Sequence, residues 1–366
     1  MTTTAATSTH ATGGGSTPRR IILDCDPGHD DAIAMLLAWG NPNIDLLAVT
    51  TVAGNQTLEK VTANARALAR VGKITGVPFA AGADRPLVAP QLIPEAIHGE
   101  SGLDGPQLPE AGVELEKAHA IELMAHIIEQ AEPGTIRLVP TGSLTNIALF
   151  ARTYPHLVER VAGVTLMGGG HHTGNMTPAA EFNILADPEA AKIVFDAAWP
   201  VTMVGLDVTH KVLAVPARMK QIREVGTDVA EFVAELVEFF GTSYMDLRRY
   251  PGPPLHDALA VAAVADPEVL TTVAAPVAVE TRGEFTRGMT VVDLRRTWGA
   301  QHQTAENPGD PSALGLSDDY AAAGLETYGE MQEPVRHRVG VDVDVERFFD
   351  LLVDALRRIG NTGFRG

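Results

Sequence analysis

This 366-residue sequence predicts an α/β fold: an open, mainly parallel sheet with helices on both faces. Three observations carry that expectation. Apolar runs of strand length alternate with amphipathic stretches of helix length from Ile21 onward. The apolar runs are continuous, as in strands buried on both faces. Glycine and proline are frequent, at 35 and 24 residues, which suits many short loops between strands and helices.

Ile21 to Cys25 reads as the first strand, and Asp30 to Trp39 as a helix with aspartates at the positive end of its dipole. Ile44 to Thr50 is a second strand, Leu58 to Val71 a second helix and Pro78 to Ala81 a short strand. A helix over His119 to Gln130, a strand over Ile136 to Val139 and a helix over Leu144 to Arg152 follow. Val161 to Met167 is a strand running into Gly168-Gly169-Gly170. Asp187 and Pro188 cap a helix that reaches Ala197, and Val201 to Leu206 is another strand. Arg338 to Val345 alternates like a strand, and Glu346 to Ile359 forms a terminal helix stopped by Gly360.

Residues 1–18, rich in Thr, Ala, Ser and Gly, read as a disordered tail and not as a secretory signal. Residues 19–366 read as one domain, with a surface insertion at about 301–333 marked by Asn-Pro-Gly-Asp-Pro and many acidic residues. The formal net charge of -18 argues against nucleic acid and anionic membrane as partners. No apolar run is long enough to span a bilayer, so the expected location is cytoplasmic. Cys25 is the single cysteine; it reads as a small buried core residue, and nothing indicates an oxidising compartment.

The chemistry concentrates in Asp24-Cys25-Asp26-Pro27-Gly28-His29-Asp30-Asp31, directly after the first strand. Like charges packed this closely raise one another's pKa unless a cation neutralises them. Oxygen-only ligands favour a hard ion such as calcium or magnesium. Ligands of open parallel sheets bind at the carboxyl ends of the strands. The polar residues found there are Gly54, Asn55 and Gln56, then Thr141 to Ser143, then Asn175, Glu181 and Asn183, with His256 and Asp257 opening a further helix. Such a pocket suits a neutral polyhydroxylated ligand with a divalent cation.

These segments, with Ile97-His98-Gly99-Glu100, Val139-Pro140-Thr141-Gly142, Leu166-Met167-Gly168 and Ala180-Glu181-Phe182-Asn183, make the chain resemble the inosine-uridine nucleoside hydrolase family. The resemblance extends over nearly the whole chain after Arg19. It implies a Rossmann-like fold and calcium-dependent hydrolysis of ribonucleosides to ribose and free base, with uridine, inosine or cytidine as substrates. It further implies one calcium ion per subunit, a role in nucleoside salvage, and a homotetramer or homodimer. Carried over by position, Asp26, Asp31, Asp257 and the Thr141 carbonyl hold the metal, and Asp26 is the general base. Asp30, Asn55, Asn175, Glu181 and Asn183 bind the ribose, Met167 forms a wall, and His256 or His98 protonates the leaving base.

Each assignment has a plainer rival. Asp24 either braces nearby loops or ligates the metal, and the Thr141 side chain is incidental if only its carbonyl binds. His98 either touches the base or orders a flap; His256 either donates a proton or orients Asp257. His171, His172 and His210 are too irregularly spaced for a zinc site. Two rival functions are an aspartate-based phosphotransferase, which lacks the needed lysine here, and a non-catalytic nucleoside or ribose receptor.

Overall fold

The computed structural model describes residues 17–94, 97, 99–248, 250–295 and 336–361. Residues 1–16, His98 and the insertion expected at 301–333 lie outside them. β1 (Arg19–Cys25) is the central strand, and its last five residues are buried. Ile21, Leu23 and Cys25 join one apolar cluster and Ile22 joins the other, as the two-residue period of a strand requires.

The chain continues through α1 (His29–Gly40), β2 (Ile44–Thr51), α2 (Leu58–Val71), β3 (Phe79–Ala81), α3 (Ala120–Gln130), β4 (Ile136–Pro140) and α4 (Thr145–Thr153). Next come β5 (Val161–Met167), α5 (Phe182–Ala186), α6 (Pro188–Asp196), β6 (Val201–Val204), α7 (Leu206–Thr209), α8 (Pro216–Arg223) and α9 (Asp228–Arg248). The remaining elements are α10 (His256–Ala265), β7 (Leu270–Ala274), β8 (Val277–Val279), β9 (Thr290–Val292), β10 (Arg338–Val343) and α11 (Val345–Gly360).

The main sheet has the order β3-β2-β1-β4-β5-β6-β10-β7. Its neighbours run parallel except β7, which pairs antiparallel with β10 at the edge. β8 and β9 form a separate antiparallel pair. One face carries α1, α9, α10 and α11; the other carries α3, α4 and α6. The expected doubly covered parallel sheet is therefore present. β2 and β4 flank β1 on opposite sides, so the strand order reverses there and a crevice opens at the carboxyl ends.

Two expectations need correction. The strand expected over Val201 to Leu206 stops at Val204, because Gly205 packs against the Gly169 carbonyl and Leu206 turns to accept a new helical path. Gly360 does not stop the terminal helix; it is the last helical residue, and Asn361 leaves in an extended conformation. A Cβ at Gly360 would stand 2.1 Å from Thr227 Cγ2, so glycine serves close packing there. Asp187 caps α6 as expected, accepting from the Ala190 N–H at 3.1 Å.

Candidate active site

β1 delivers Asp26 one residue beyond its end, and α1 begins at His29 with Asp30 and Asp31 in its first turn. α10 begins at His256 with Asp257 in its own first turn. Both helix starts favour negative charge through their dipoles. One oxygen from each of Asp30, Asp31 and Asp257 lies within 4.8 Å of the others.

Asp26 is fully buried. Its Oδ2 accepts from the Asn55 N–H at 2.7 Å, while its Oδ1 is buried without a hydrogen-bond partner. Asp31 is heavily used: Oδ1 accepts from Thr141 Oγ1 at 2.8 Å, and Oδ2 accepts from the Gly28 N–H and from Asn55 Nδ2, each at 3.1 Å. The Thr141 side chain is thus not incidental. Asp24, within β1, has its own partners: its Oδ1 accepts from Thr50 Oγ1 at 2.6 Å and Asn146 Nδ2 at 2.8 Å. That bracing ties β1 to β2 and α4.

Burial pushes every one of these carboxyls up. Asp26 and Asp257 rise well above the usual range, with repulsion from neighbouring aspartates adding to burial. Asp30 is pushed up to about 7 by burial and by Asp31, and Asp24 to about 7 mainly by burial. Asp31 is also raised by burial. No lysine or arginine lines the cavity above them. An unpartnered buried oxygen among crowded carboxylates fits a hard divalent cation, which would reverse these shifts.

The opposite wall is built from the β5 end. Glu181 caps α5, accepting from the N–H groups of Asn183 at 2.9 Å and Ile184 at 3.1 Å, and from Gly169 N–H at 2.9 Å. Burial pushes its carboxyl up to about 7. Asn183 Nδ2 donates to the Thr141 carbonyl at 2.7 Å, which leaves that oxygen a second lone pair. Asn175 Oδ1 accepts from the Phe182 N–H at 2.9 Å. His256 Nδ1 lies 2.7 Å from Thr209 Oγ1.

The chain matches the family model described as inosine-uridine preferring nucleoside hydrolase over residues 21–350. It belongs to the inosine-uridine preferring nucleoside hydrolase family. The inosine-uridine preferring nucleoside hydrolase of Crithidia fasciculata is 47% identical over 345 residues, 94% of this chain and 99% of that protein. A pyrimidine-specific ribonucleoside hydrolase of Photobacterium profundum is 48% identical over 299 residues, 81% of this chain and 93% of its own length. Among solved structures, the purine-preferring ribonucleoside hydrolase from Gardnerella vaginalis superposes with a TM-score of 0.79 at 29% identity, covering 93% of this chain and 99% of that one.

In this nucleoside hydrolase family member the cavity is small, about 50 Å³. Asp30, Asn55, Thr141 and Met167 line it, facing Asn175, Glu181 and Asn183, with His256 and Asp257 beside them. Asp26 and Asp31 are buried and do not line it, and His98 lies outside the described residues. Ile97, from the motif segment Ile97 to Glu100, also lines the cavity, as do Pro94, Met176 and Phe240, which no motif marks. Apolar walls carry no chemical signature, and Phe240 reads simply as part of the buried stripe of α9. Thr209 was missed too; its position at the end of α7, just before His210, was the available signal.

A larger well-formed cavity would ordinarily be preferred as a ligand site. The one present, about 870 Å³ between α8 and α9, has its charges already matched: Arg223 with Glu238 at 2.6 Å, and Lys220 with Glu224 at 3.6 Å. Arg223 is raised and Glu238 lowered chiefly by their hydrogen bond to each other. His171 and His172 both meet Asp207 at 2.9 Å, and neither lines the small cavity.

Proposed function

We propose that this chain hydrolyses the N-glycosidic bond of ribonucleosides in a calcium-dependent reaction, releasing ribose and free base. The observation that carries this reading is Asp26, buried with one unpartnered oxygen beside three crowded carboxylates. Uridine, inosine and cytidine are the proposed substrates, in keeping with the names of the relatives.

Asp26, Asp31, Asp257 and the Thr141 carbonyl would hold one calcium ion, whose chemistry is to orient and acidify a water and to bind sugar hydroxyls. Asp26 accepts the proton of the attacking water through Oδ1. The water oxygen bonds to the anomeric carbon as the carbon–nitrogen bond breaks, and the bonding pair leaves with the base. His256 supplies the proton that neutralises the base, donating through Nε2 while Thr209 steadies Nδ1. Positive charge developing on the ribosyl ring is stabilised by the surrounding carboxylates. Asp30, Asn55, Asn175, Glu181 and Asn183 position the ribose hydroxyls, and Met167 walls the sugar. Pro94, Ile97 and Phe240 add apolar lining to the same cavity.

The same reading makes the chain a single-domain cytoplasmic salvage enzyme, assembled as a homotetramer or homodimer. Among the described residues no helix is long and apolar enough to cross a membrane. Ribose release from uridine, cytidine, inosine and adenosine, measured before and after calcium chelation, tests the proposal. Release should stop on chelation and return with calcium, and Asp26→Asn should lower kcat by roughly 10²–10⁴-fold with the fold retained. No release by folded, calcium-loaded protein, with uridine affinity kept in Asp26→Asn, would establish a receptor instead.

A further inference from the structure

The opposite end of the main sheet holds a second cavity of about 280 Å³. Arg19, Arg137 and Arg338 line it together with Thr165, Thr202 and Thr272. Strand register gathers them: Ile21 pairs with Arg137, Thr165 with Thr202, and Thr202 with Arg338. No carboxylate is among the lining residues, although the chain carries a net charge of -18.

The three guanidinium groups rest on neutral acceptors. Arg19 donates to the Val264 carbonyl near the end of α10. Arg137 donates to Thr165 Oγ1 at 3.3 Å, and Arg338 donates to Thr272 Oγ1 at 2.7 Å and to the Thr272 carbonyl at 3.1 Å. Among the described residues, none of the three makes an ion pair with a carboxylate. Other arginines differ: Arg287 is paired with Glu189 and Arg347 with Asp266. Arg137 is half-buried, and burial together with the nearby positive charge of Arg19 lowers its pKa. Like charges held together over neutral acceptors are an arrangement that an anion relieves.

We propose that this cavity binds a small oxyanion: inorganic phosphate or the phosphoryl group of a small phosphomonoester. Guanidinium forks match phosphate oxygens with two parallel hydrogen bonds, and the threonine hydroxyls supply further donors. The volume, about 280 Å³, falls just below the usual small-molecule range of about 300–1,000 Å³, so a single phosphoryl group fits better than a polyanion. The ten residues of α10, about 15 Å of helix, separate this cavity from His256 and Asp257. Phosphate bound here does not compete with nucleoside.

The test uses the full calcium-loaded chain freed of excess calcium, with Arg137→Gln and Arg338→Gln variants. Inorganic phosphate and glycerol 3-phosphate are titrated by thermal shift and by phosphorus NMR line broadening, against chloride at matched ionic strength. Wild type should show saturable stabilisation and broadening that chloride does not reproduce. Half-saturation should rise about tenfold or more in each variant, as loss of a charged hydrogen bond requires. Arg338→Gln, at the exposed first residue of β10, should keep its kcat/KM for uridine. Tighter binding of glycerol 3-phosphate supports a phosphomonoester, and equal binding supports free phosphate. No saturable response in wild type, or an unchanged response in Arg338→Gln, overturns the proposal.

Discussion

A single methyl group on Gly142 tests the placement of Asp26. A Cβ there would stand 2.3 Å from Asp26 Oδ1 and 2.7 Å from its carboxyl carbon. Ordinary contact begins at 3.4 Å, so the carboxylate would have to move about 1.1 Å (3.4 minus 2.3). Retreat is blocked on the other side. A Cβ at Gly54 would fall 2.0 Å from Oδ2, so that backbone already packs closely, and the Asn55 N–H holds Oδ2 at 2.7 Å. A misplacement of about 1 Å in a reacting group costs on the order of 100-fold in rate. We therefore expect Gly142→Ala to lower kcat for ribose release from uridine by about 100-fold and to weaken calcium binding. Circular dichroism and the melting temperature would establish that the fold is intact. A folded Gly142→Ala protein with a kcat close to wild type would refute the assignment of Asp26 as the base.

Two further outcomes follow from the same crevice. Asp24, Asp30 and Glu181 are each pushed up to about 7 by burial, so the calcium-free folded protein holds their protons more tightly than the unfolded chain. The stability they contribute is complete below the ordinary carboxylate range and is lost as pH rises through about 7, on the order of 4 kcal/mol for Asp24. The melting temperature of chelated protein should fall across that window, and calcium should flatten the fall; a melting temperature that climbs with pH would contradict this. Thr209→Val removes the hydrogen bond to His256 Nδ1 and should lower kcat for inosine by about tenfold. Hydrolysis of 4-nitrophenyl riboside, whose leaving group departs without protonation, should be affected much less. Equal losses on both substrates would remove His256 from the acid role.

Local chemistry was legible in the sequence by itself. Strand–helix alternation places β1, β2, β4 and β5, and the loops after them carry the polar residues, because burial and capping act over a few neighbouring residues. Asp30, Asp31 and Asp257 belong to helix starts on the same grounds. Long-range packing decided the rest. Pairing of β10 between β6 and an antiparallel β7 joins segments far apart in the chain, which no local pattern specifies. The same holds for Asn146 reaching Asp24, Thr209 reaching His256, and Phe240 joining the polar residues that line the cavity. The carboxylates are legible as residues; only the folded sheet separates bracing Asp24 from Asp26, since Asp24 lies within β1 between Thr50 and Asn146, whereas Asp26 lies just past the strand end against the Asn55 backbone.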